Sequence, residues 1–163
     1  MPNHCSNSLH LDGDFKHRQE FVDKNKGFAH DDAEKRGEYK NLSYHAQVPM
    51  PQKHIKSHAK DRTNSDWYSW SNKNWGTKWD TYDEELTHEK EYTHYSFESA
   101  WSPPSEWIQK VSRKFPKLKF NVTWAEEGGS GGRYMFQGGD CFYEIAMSDA
   151  EWREYNGYED EDN

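Results

Sequence analysis

The chain has little aliphatic material: Leu, Ile, Val and Phe together number 20 of its 163 residues. By that measure alone it resembles sequences too poor in apolar surface to fold. Other absences are equally informative. No apolar run approaches the roughly 18–20 residues of a membrane span. The opening Met1-Pro2-Asn3-His4-Cys5 has neither a basic nor an apolar leader region, so no secretory signal is read and a cytoplasmic protein is expected. Only two cysteines occur, Cys5 and Cys141, far apart in sequence. They mark no disulfide framework and cannot fill the usual four-thiolate shell of an iron–sulfur cluster. Positive charge is in deficit, with 21 Lys and Arg against 29 Asp and Glu, a net charge of −8. That balance disfavours DNA, RNA or anionic membranes as partners, because their affinity comes largely from cations.

What is present is aromatic. Eight Trp, ten Tyr and eight Phe each remove roughly 150–250 Å² from water when buried. A single domain with a core of large rings and charged loops is therefore expected over residues 1–153, followed by an acidic, frayed tail over 154–163.

Leu9 and Leu11 alternate with polar neighbours up to Gly13, which predicts a first strand. Asp14 is placed to cap a helix from Phe15 to Lys26, with Phe15, Val22 and Phe21 as its inward candidates. The charged stretch Asp31 to Glu38 reads as a loop. Leu42, Tyr44, Ala46 and Val48 alternate and predict a second strand, closed by Pro49 and Pro51. Residues 52–91 then read as an insertion. It holds the basic residues Lys53, Lys56, Lys60 and Arg62, four tryptophans, and the charged run Asp83 to Glu91. Tyr95, Phe97, Ser99 and Trp101 predict a third strand. Trp107, Ile108, Val111 and Phe115 share one helical face, ended by Pro116. Leu118, Phe120, Val122 and Trp124 predict a fourth strand, and Gly138-Gly139-Asp140 joins two short runs into a hairpin. The order β-α-β, insertion, β-α-β, hairpin predicts an α+β ferredoxin-like sandwich with both helices on one face of the sheet.

Four segments carry a family resemblance: Met1–Asn7, Val48–Pro51, Asn74–Asp80 and Ala100–Pro104. Together they resemble the YubB-type ferredoxin-like family of bacteriophages and conjugative plasmids, departing from it at His4, where the family usually has Trp. The resemblance implies a ferredoxin-like fold and a mobile-element origin, and it implies no activity.

Two surfaces are candidates for function. Trp67, Trp70, Trp75 and Trp79 crowd into thirteen residues. They are either anchors for a partner or, as the chain's shortage of aliphatics favours, core rings of which one or two project. The second surface follows from strand alternation, which places His10, Asp12, Ser43, His45, Gln47, His94, Ser96, Glu98, Lys119, Asn121 and Thr123 on the outward face. His10, His45, His94 and Glu98 would cluster there as a ligand, pH-sensitive or metal-binding patch, or as a merely solvated face. That face has no aromatic ring for stacking bases, so RNA binding is a third reading. No metal or cofactor is assigned. His54 and His58 lack the glutamate of a zinc-protease helix, and Gly128–Gly132 lacks the Lys-Ser/Thr of a phosphate loop. The functional expectation is a non-enzymatic accessory protein that binds a host protein, with a defence system as a target class. A small-ligand or nucleotide binder is the alternative.

Overall fold

Period-2 burial organises the molecule from its first strand onward. The computed structural model describes residues 2–28, 39–60 and 66–158. Its elements begin with β1 (His4–Asp12), α1 (Phe15–Lys24), α2 (Tyr44–Gln47), α3 (Gln52–Lys60), α4 (Asp66–Asn74) and β2 (Tyr82–His88). They continue with β3 (Thr93–Ala100), α5 (Ser105–Lys114), β4 (Lys119–Glu126), β5 (Gly131–Gln137), β6 (Asp140–Ala146) and α6 (Asp149–Tyr155). Six antiparallel strands form one sheet in the order β2-β3-β1-β4-β5-β6. The first four places are those of two interlocked β-α-β units, β1-α1-β2 and β3-α5-β4, and the hairpin β5–β6 extends the sheet. This is a ferredoxin-like arrangement.

The inner face carries Leu9, Leu11, Tyr95, Phe97, Phe120, Val122, Tyr134 and Phe136, all buried. Phe21 of α1 meets Phe115, Phe120 and Tyr95 edge-on at centroid distances of 5.1, 5.4 and 5.9 Å. Trp107, Ile108 and Val111 of α5 complete the core. Phe15, expected inward, is 42% exposed and stacks on His88 instead. Large rings therefore replace the missing aliphatics, each desolvating more surface than a leucine.

The expected strand over Leu42–Val48 is a correction: Tyr44–Gln47 is a turn of helix. The reason lies far away in sequence. The carboxylate of Asp80, itself buried, accepts from Ser43 Oγ at 2.9 Å, Tyr44 N at 2.7 Å and His45 N at 3.3 Å. It thereby satisfies donors that a first helical turn leaves unpaired. The true second strand is Tyr82–His88, within the segment expected to be an insertion, so the tryptophan-rich stretch precedes β2. β2 is an edge strand whose acidic residues Asp83 and Glu85 face solvent, while Leu86 packs inward. Such charge is a common guard on exposed edges.

Nor is residues 52–91 a mere insertion. Met50, Ile55, Trp67 and Trp75 from the connector join the core. Tyr44 packs against Trp107 at 5.1 Å and Trp75 at 5.8 Å, and the Trp107 indole donates to Tyr44 O at 3.1 Å. Asp31–Glu38 and Arg62 lie outside the described residues, as do the last five residues of the expected tail.

Two local features close the structure. Arg18 is buried with no carboxylate partner among the described residues. Its Nε donates to Gly13 O at 2.8 Å, its Nη1 to Glu89 O at 2.9 Å and Thr93 Oγ1 at 2.8 Å, and its Nη2 to Lys90 O at 2.5 Å. At the β5–β6 turn, Gly138 and Gly139 both have positive φ, 59° and 88°. A two-residue hairpin turn of matching twist requires this conformation at both positions.

Candidate functional site

Antiparallel register places the outward side chains in rows. His10 lies between His94 and Asn121, Ser8 between Ser96 and Thr123, and Ser6 between Glu98 and Ala125. β2 adds Thr87 beside His94 and Glu85 beside Ser96. On the other flank, Met135 and Tyr143 continue the first row, and Arg133 and Ile145 the second. The alternation of β1 and β3 thus brings His10, His94 and Glu98 onto one face, as their spacing predicts. His45 is not there. It sits in α2, where its Nδ1 accepts from Met50 N at 2.9 Å.

Part of this face is covered by α6, a helix not expected from the sequence, whose last two residues reach into the expected tail. Ser148 caps it and Glu151 reaches back to the Ser148 N–H at 2.7 Å, a reciprocal capping box. Trp152 anchors it by donating from Nε1 to Glu126 O at 3.0 Å and stacks on Tyr158. Gly131 permits the approach, since a Cβ there would lie 2.6 Å from Met147 Sδ and 3.3 Å from Trp152 Cδ1. A cleft opens on each side of α6. The larger, about 480 Å³, lies toward β5 and β6 and includes Thr123, Arg133, Tyr143, Ile145 and Tyr155. The smaller, about 400 Å³, lies toward β1–β3 and includes Ser6, Asp83, Glu98 and Trp152.

A family model described as the ferredoxin-like domain in Api92-like protein matches residues 74–163, more than half of the chain. The chain belongs to this family. A crystal structure of a protein Api92 from Yersinia pseudotuberculosis superposes with a TM-score of 0.56 at 14% identity, covering 68% of this chain and 42% of that one. At that identity the likeness carries the fold alone. The chain therefore spans less than half the length of that relative. No curated protein matches.

In this Api92-like chain the tryptophans divide. Trp75 is fully buried and donates from Nε1 to Val48 O at 2.9 Å, and Trp67 is buried as well. Trp70 packs edge-on against Trp75 at 5.3 Å. Trp79 is half-buried, with Lys78 Nζ 4.7 Å above its ring. Trp67 and Trp75 are thus core, whereas Trp70 and Trp79 are only partly covered.

The histidines engage different neighbours. His94 Nε2 is 2.6 Å from Ser8 Oγ, and burial followed by the neighbouring His10 lowers its pKa. Burial also lowers the pKa of His45, with Asp80 opposing. His10 Nε2 lies 3.1 Å from Asp12 Oδ1. Among the described residues, no three or more His, Cys, Asp or Glu are placed to hold a metal ion. Burial pushes the Cys5 thiol up to about 12. His4, on the opposite face of β1, is not positioned to deprotonate it.

Sequence reasoning missed Arg133, Tyr143, Ile145, Trp152 and Tyr155. The Ser148-Asp-Ala-Glu151 capping pattern was a readable signal for α6. Nothing local announces that this helix lies on the outer face of the sheet.

Proposed function

We propose that the chain is a non-enzymatic binding protein that docks an extended segment of a partner protein along β6. The observation that carries this is the edge itself. All seven residues of β6 are exposed, with Phe142 at 53%, Tyr143 at 42% and Ile145 at 54%. A free edge presents a row of unpaired N–H and C=O groups, and native proteins usually guard it rather than line it with large apolar side chains. β2, the opposite edge, carries acid with no exposed large apolar side chain, whereas β6 exposes three of them. Asp140 and Glu144 on the strand, with Asp149, Glu151 and Glu154 on α6, set acid beside the apolar groups. The matching segment is a strand that alternates apolar side chains with Lys or Arg. The YubB-type resemblance supports a partner in a bacterial host of a phage or plasmid, with a component of a host defence system as the favoured class.

A photocrosslinking side chain at Phe142, expressed in such a host, is expected to capture one specific protein. Capture is lost in Ile145→Lys at unchanged thermal midpoint and is absent with the same probe at Tyr68. Equal capture from both positions, or a crosslink to a second copy of the chain, overturns the proposal.

A second reading rests on the larger cleft, where Arg133 can pair with a phosphate and Tyr143 and Tyr155 can stack a base. It expects a thermal upshift with a nucleoside phosphate that disappears in Arg133→Ala. A flat response across a nucleotide panel removes it.

A further inference from the structure

We infer that the smaller cleft is a site for an organic cation: a guanidinium or primary ammonium group carried on a short apolar stem. This goes beyond partner docking at β6, since it uses other residues on the other side of α6. The cleft holds about 400 Å³, and its walls include the carboxylates of Asp83, Glu98 and Glu127 but no Lys or Arg. Glu98 decides the sign of the ligand. Ser6 Oγ donates to its Oε1 at 2.8 Å, whereas Oε2 is buried and meets no donor among the described residues. A buried carboxylate oxygen left in this way is costly unless a donor reaches it. The neighbouring Tyr82 reports the same field from outside the cleft. Its hydroxyl is pushed up to about 12 by burial, then by Glu98 and Asp83.

The stem and the π-face are also provided for. Trp152 and Tyr158 both border the cleft and stack with centroids 5.8 Å apart at 16°. Such faces attract a cation and cover an alkyl chain. A bulge in β2 between Tyr82 and Glu85 brings in Asp83, whose φ of 49° is rare for a non-glycine residue but tolerated by Asp and Asn. Among the described residues no metal-holding group of three or more His, Cys, Asp or Glu is found. The geometry therefore favours a donor-bearing organic cation over a metal ion.

The cation has two sources, a free amine or an arginine side chain, and calorimetric titration of the full chain separates them. Agmatine represents the free source, and a blocked pentapeptide with a central arginine represents the side chain. The same peptide with citrulline is the uncharged control. At least one charged probe is expected to bind, and Glu98→Gln weakens that binding by about ten-fold. The glutamine keeps the acceptor for Ser6, so folding is retained. Asp83→Asn, compatible with the backbone at that position, weakens binding less. Glu85→Gln, outside the cleft, leaves it unchanged. Whichever probe binds identifies the source. No heat from either probe at about 10 mM, equal binding of the citrulline peptide, or an unaffected Glu98→Gln variant overturns the inference.

Discussion

Asp80→Ala is expected to lower stability by about 3–5 kcal/mol, among the largest effects a single polar substitution can have in this chain. The side chain is 4% exposed and accepts from Ser43 Oγ, Tyr44 N, His45 N and Thr81 N. Removing it orphans four donors at once, in a place where the protein packs too tightly for water to substitute fully. The damage reaches the core, because Tyr44 is held by those bonds and its backbone oxygen accepts from the Trp107 indole. Asp80→Asn keeps one acceptor oxygen but turns an N–H₂ toward existing donors, and about half the loss is expected. Denaturant unfolding measures both variants, and hydrogen exchange at the Tyr44 and His45 amides localises the effect. A cost below about 1 kcal/mol for Asp80→Ala would mean that the carboxylate does not hold α2 in place.

Trp75→Ala is expected to cost about 3–5 kcal/mol, the range for removing a fully buried aromatic ring. Trp79→Ala, four residues on, is expected to cost under about 1 kcal/mol. The contrast follows from their settings. Trp75 is enclosed by Trp70 and Tyr44 and donates to Val48 O, so truncation leaves a cavity and an unpaired carbonyl. Trp79 is half-buried under the Lys78 ammonium. Thermal and denaturant unfolding of the two variants side by side measures the difference. Equal, small losses would place the tryptophans at an interface and return them to the list of partner anchors.

These expectations show which parts of the structure are written locally. β1, β3 and β4 were legible because one buried face forces strict alternation. α5 was legible because Trp107, Ile108 and Val111 repeat at helical spacing. The same alternation put His10, His94 and Glu98 on one face, while the pairing of His10 with His94 is a matter of register that only the fold supplies. α2 was misread because four residues that alternate in sequence are also compatible with a helical turn, and the group that decides between them, Asp80, lies over thirty residues away. β2 was misread because an edge strand needs only one inward apolar residue, here Leu86, and its acids look like a loop. The clefts were illegible for another reason. They exist only because α6 crosses the outer face over Gly131, a tertiary contact without a periodic signature.

Arg18 carries a consequence for the order of events in folding. Its bonds to Glu89, Lys90 and Thr93 span separations of 71, 72 and 75 residues. They cannot form until the connector between α1 and β2 has been closed into a loop and the β2–β3 turn is in place. Closing such a loop costs entropy before any contact repays it. The guanidinium therefore acts as a clasp that engages late. It rewards only those chains in which the first β-α-β unit has already found its partner strand, and its release would be an early step in opening the molecule.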